Sequence, residues 1–207
     1  MKEKNKTMSV EVNEQQTHER HPLEPFLPEN ARVLMLGSFP PPHERWTMNF
    51  YYPNFQNDMW RIFGLVFFDD KNHFIARNGK SFDEDNIRHF LISKGIALFD
   101  TAEEVIRHKG NASDQFLEIT KPVDLNKLLS RMPYCDTIVT TGQKAMDTLM
   151  MILGIDKTPP VCGCVDTHLG DRALRCYRMP SSSRAYPKAI NDKAADYKCM
   201  FEAAGVL

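Results

Sequence analysis

Apolar and polar positions along the chain fall into blocks with two different spacings. Val33, Leu34, Met35 and Leu36 form an apolar run that stops at Gly37 and Pro40. A run of about five residues bounded by turn signals reads as a buried strand. Met59, Trp60, Phe63, Val66 and Phe67 then recur at helical spacing. Asp69 to Lys80 is polar and holds the turn signal Asn78-Gly79, and Ser81 to Glu84 fits a capping box. It opens a helix whose apolar face is Ile87, Phe90 and Leu91 and whose C-terminal cap is Gly95. Ile96 to Asp100 reads as a second buried strand ending in a carboxylate, Thr101 to Ile106 as a short helical or loop piece, and Lys109 to Ser113 as a loop. Asp124 can cap a helix carrying Leu125, Leu128 and Leu129. Asp136 to Gly142 gives a third strand and Gln143 to Leu153 a Met-rich helix stopped by Gly154. Val161 to Val165 and Ala173 to Met179 are further strand candidates, and Ile190, Ala194, Tyr197 and Phe201 mark a last helix. Strands alternating with helices predict an α/β fold of three layers, αβα, around a central, mostly parallel sheet of four to five strands. The strand ends at Gly37, Asp100, Gly142 and Pro180 would gather at one rim, where ligands of open α/β sheets bind.

The ends of the chain change this picture little. Residues 1–22 are rich in Lys, Glu, Asn and Gln, and are expected to form a mobile tail before a single domain over 23–207. Pro22, Pro25 and Pro28 make the approach to the first strand extended. At 207 residues the chain can bury a full core without staples. A net charge of −1 excludes a strongly basic coat, though not a local basic patch. No apolar run reaches the length of a membrane span, and Met1 to His21 lacks the apolar core of a signal peptide; the expectation is a cytoplasmic protein away from membranes. The five cysteines, an odd number with Cys162 and Cys164 one residue too close for a Cys-x-x-Cys pair, are expected to be reduced thiols, with no metal or cofactor implied.

Candidate chemistry concentrates just after the first strand. Phe50, Tyr51, Tyr52 and Phe55 surround Asn49, Asn54 and Asn57. Rings beside amides suit a planar ligand such as a nucleobase, which rings stack and amides read at the edge. The simpler reading of the same rings is core, since aromatic clusters are more often packing than sites.

These residues carry a resemblance. Gly37-Ser-Phe-Pro40, the Tyr51-Tyr52 pair and Asn57-x-x-Trp60 are similar to the first motif of the uracil-DNA glycosylase superfamily, closest to its hypoxanthine (deoxyinosine) and mismatch-specific branches. Gly95 to Asp100 resembles the strand whose last residue reads the base edge. Thr141-Gly142-Gln-Lys-Ala145 resembles a Gly-x-x-Ala turn, and Met179 to Tyr186 the loop that enters the minor groove. The matches keep family order from Gly37 to Tyr186. The resemblance implies a DNA glycosylase of base-excision repair, a monomer without cofactor acting on double-stranded DNA that holds a deaminated base, hypoxanthine or uracil. It implies that Gly37, Ser38, Phe39, Tyr52 and Asp100 hold the flipped base, Tyr52 by stacking and Asp100 by its edge. It implies that Ser181, Ser182, Ser183 and Arg184 grip DNA.

The departures are specific. Most of the superfamily places a water with Asp or Asn where this chain has Phe39, and opens the last motif with His or Asn where it has Met179. Pro41 replaces a second Gly, Asn54-Phe55 replaces His-Pro, and Ser183 stands where a Leu wedge is usual. In the hypoxanthine branch the Asn of the aromatic stretch is implied to act instead, which makes Asn57 the candidate catalytic group. Simpler roles remain open: Asp100 and Asn57 as helix caps, Arg184 as a solvated charge. So do two other functions. One is a DNA-binding protein without catalysis. The other is a hydrolase using Ser38 as nucleophile with Asp166 and His168.

Overall fold

The computed structural model describes residues 16–108 and 113–207. Its centre is a five-stranded sheet built from β2 (Val33–Gly37), β3 (Ile96–Asp100), β6 (Thr137–Thr141), β7 (Cys164–Leu169) and β8 (Arg172–Met179), in the order β3-β2-β6-β8-β7. All pairs are parallel except β7 with β8. Every residue of β2, β3 and β6 is buried. Strands covered on both faces read as near-continuous apolar runs, as β2 and β3 do, while β6 is marked by its β-branched residues. Helices α1 (Met59–Phe68), α2 (Glu84–Lys94), α3 (Leu125–Ser130), α4 (Gln143–Leu153) and α5 (Ile190–Ala203) flank the sheet. The result is the three-layer αβα architecture.

Register places the chemistry. Gly37 lies opposite Asp100, and Thr141 opposite Met179. The carboxyl ends of the parallel strands therefore meet at one rim. The chain runs from β2 out to β3, then back past β2 to β6, and the crevice opens at that reversal.

Several expectations need correction. Gln16–Arg20 is not a mobile tail but strand β1, which pairs with β4 (Ala102–His108); β4 also pairs with β5 (Leu117–Pro122) in a second, antiparallel sheet. The part of the expected tail before Gln16 lies outside the described residues, as does Lys109 to Ala112 of the expected loop. Ala102 to Ile106 is accordingly strand, not helix or loop. Two register shifts near Glu104 break the alternation that would have marked it. The second sheet closes a small core of Phe39, Ala102, Val105 and Leu117 against the rim. Helix α2 is capped by Asp83, whose side chain accepts from the Asn86 N–H, rather than by Ser81, which is folded into the Asn78 turn. The strand expected at Val161 to Val165 begins at Cys164, because Pro159 and Pro160 hold the preceding chain in a turn. The five thiols are all free. Among the described residues no helix is long and apolar enough to cross a membrane.

Candidate active site

A cleft of about 660 Å³ opens at the rim, lined by the Gly37–Pro41 turn, the Tyr51–Asn57 stretch, Asp100, Asp114, Thr141 and the Ser181–Pro187 loop. The expected base-binding and DNA-binding residues all line this one space. Asp166 and His168 do not: Asp166 pairs with Arg175 at 2.7 Å on the outer strand β7, so the pair lies away from Ser38.

Asp100 is 7% exposed, and its Oδ2 lies 2.9 Å from His21 Nε2. His21 is the residue the sequence did not reveal. It follows β1, its backbone N–H donates to Glu103 O, and its ring sits among Phe39, Tyr51 and Phe99. A carboxylate cannot donate, so Nε2 carries the proton that bridges the two groups. His21 Nδ1 meets Leu23 from both sides, 2.8 Å from its carbonyl oxygen and 3.2 Å from its N–H. A neutral ring accepts from that N–H, and a charged ring donates to that carbonyl. No described residue donates to Asp100 Oδ1, which remains an acceptor. A Cβ on Gly37 would fall 2.3 Å from Asp100 Oδ1, so only glycine leaves the carboxylate its place. Gly37→Ala is expected to cost about 1–3 kcal/mol of stability by overpacking, read from denaturant melts; an unshifted midpoint would mean the carboxylate moves freely.

Tyr52 lines the same cleft with its backbone in the left-handed region, φ 50°, a conformation that non-glycine residues hold only when their surroundings enforce it. Its hydroxyl meets Thr141 Oγ1 at 3.1 Å and its ring packs edge-on to Trp60. Burial and the charge of Asp100 push the hydroxyl well above the usual tyrosine range, so it stays protonated. Phe39 is 8% exposed: it joins the second sheet's core, meets His21 edge-on and shows the cleft only its ring. Ser38 Oγ donates to Asp114 Oδ1 at 2.7 Å.

Asn57 is half-buried just before α1. Its Oδ1 accepts from the Met59 N–H at 2.9 Å, which fixes the amide orientation and leaves its NH₂ as a donor. Asp58 is the formal N-cap, without a side-chain cap bond. Its carboxylate instead ties two loops together: Arg184 Nε donates to Oδ1 at 2.9 Å, and buried Lys193 lies 3.6 Å from Oδ2. Lys193 also donates to Ser183 O, and the Asp58 N–H to Ser182 O. Burial lowers the Lys193 pKa, and Asp58 opposes that shift. Arg184 is thus no free surface charge, and Ser182 is buried, while Ser181 and Ser183 stay partly open. Arg61, Lys71 and Arg184 share a neighbouring cavity of about 520 Å³.

The three-layer architecture has a counterpart among solved structures. The solution NMR structure of a "putative Uracil DNA glycosylase" from Methanosarcina acetivorans has the same fold, with a TM-score of 0.57 and 22% identity over 91% of this chain and 99% of that one. At that identity the likeness establishes the fold alone. No protein-family model and no curated protein matches the sequence.

Proposed function

We propose that the chain is a DNA glycosylase of the uracil-DNA glycosylase superfamily, nearest its hypoxanthine branch, which flips out a deaminated base and hydrolyses its N-glycosidic bond. The observation that carries this reading is the pairing of Asp100 with Tyr52 in one rim cleft. The carboxylate offers an acceptor to an N–H edge, and the tyrosine offers a ring to a base face. Hypoxanthine presents N1–H and uracil N3–H, whereas cytosine presents a bare ring nitrogen there and is repelled. Ser181, Ser183 and Arg184 flank the cleft, and Lys71 and Arg184 add positive charge beside it that Asp58 offsets in part, which suits a phosphate backbone. That local patch coexists with an overall charge of −1.

The test is excision from duplexes holding inosine, uracil or xanthine, scored as abasic sites, with an undamaged duplex and a simple ester as controls. The expected result is abasic product from inosine or uracil and none from the controls. Binding without product on every duplex would favour the non-catalytic DNA-binding reading, which Phe39 supports by showing the cleft only a ring and Met179 by lying buried without a polar group at the end of β8. Ester cleavage alone would favour Ser38 as a nucleophile.

A further inference from the structure

We propose that Asp114 is a second catalytic carboxylate of the cleft, which holds the attacking water and accepts its proton. The inference rests on the glycosylase reading. Asp114 comes from the turn Asp114–Phe116 ahead of β5, outside every motif the sequence offered. Its Oδ1 is fixed by Ser38 Oγ at 2.7 Å, and Ser38 is the residue directly after β2. The carboxylate is therefore anchored beside Phe39, whose side chain can hold no water. It lines the same cleft as Asp100 and Asn57, and no described residue donates to its Oδ2.

The two carboxylates are set apart by their partners. Asp100 is taken up with His21, whereas Asp114 meets only a neutral hydroxyl. The groups facing Asp114 are Ser38 after β2, Asp100 on β3, Arg107 on β4 and Lys144 on α4. The crowding of protein around the carboxyl raises its pKa even though the residue still reaches solvent; Ser38, Lys144 and Arg107 oppose the rise, and Asp100 adds to it. In the step, a water oxygen bonds to the sugar C1′ as the C1′–N bond breaks, and its electron pair leaves with the base. One water proton passes to Asp114 and then to solvent, the leaving base takes a proton from solvent, and the other water proton stays on the new sugar hydroxyl. Until the proton arrives, the carboxylate charge also favours the positive charge building on the sugar.

The experiment is single-turnover excision by the full chain on its best duplex substrate, from acid to neutral pH. The parent rate should fall on the acid side, as Asp114 is protonated. Asp114→Asn should be about tenfold slower at neutral pH, since an amide still orients water but cannot take its proton, and it should lose that acid limb. Ser38→Ala removes the hydrogen bond that favours the charged form, so its limb should move to higher pH. A parent rate and limb retained by Asp114→Asn overturns the role. So does a slow variant whose limb is intact, which would mark a structural contribution. No excision by the parent on any duplex overturns the glycosylase reading itself, and Asp114's role with it.

Discussion

Asn57→Ala is expected to slow base excision by at least about a hundredfold while leaving the protein folded and able to bind damaged duplex. The amide stands at the start of α1, with its oxygen on the Met59 N–H and its NH₂ free to donate. A donor fixed beside the sugar stabilises charge that builds on the leaving base or its phosphate, and it needs no ionisation to do so. Removing one such preorganised donor typically costs about two to three orders of magnitude. Alanine also loses the capping bond, about 1 kcal/mol of helix stability, which a melt will separate from the rate. Asn57→Asp divides the roles: it keeps the oxygen on Met59 but offers no donor, so it should be as slow as alanine. Single-turnover excision from inosine and uracil duplexes reads both variants. Near-parent rates for Asn57→Asp would show that the oxygen, not the NH₂, does the chemistry.

Asp100→Asn is expected to abolish excision of hypoxanthine and uracil to a similar degree, at least about a hundredfold. The asparagine can keep its oxygen on His21 Nε2, but then its NH₂ replaces the free Oδ1 and points a donor at the N–H edge of the base. Two donors facing each other repel, so the variant should also bind bases that present a bare ring nitrogen better than the parent does. Asp100→Ala is a less clean probe, because it strands the buried His21 N–H at a cost of about 1–3 kcal/mol. His21→Gln, which can still donate to Asp100, should retain much more activity than His21→Ala. Duplex binding and single-turnover rates decide the matter; unchanged excision by Asp100→Asn would remove Asp100 from base recognition.

What could be read from the sequence follows the physics of burial. β2 and β3 were legible as near-continuous apolar runs of strands covered on both faces, and β6, Thr137 to Thr141, as a β-branched run closing on Gly142. Gly95 and Gly154 marked helix ends because both adopt the left-handed caps that glycine favours. The antiparallel sheet was not legible: β1 is polar, and the register shifts in β4 erase its period. At the cleft, Tyr52, Asn57 and Asp100 came from the motif resemblance, since nothing in their local spacing separates a site from a cap or a core ring. His21 and Asp114 enter from polar segments remote in sequence, and only the pairing of β1 with β4 and the turn ahead of β5 carry them to the rim. His21 had no comparable sign, because the stretch leading to it, Gln16 to Arg20, is polar throughout.

Among the described residues strand β1 is an edge, paired with β4 alone, and Glu19 ties it to Arg107, which in turn donates to Pro40 O. Edges of this kind open with less free energy than the whole molecule needs to unfold. Each such opening would withdraw His21 from Asp100 while the five-stranded sheet stays closed. Amide exchange at β1 therefore times how long the cleft keeps its histidine, and a protein that looks intact by its global melt can spend part of its life with an unclamped Asp100.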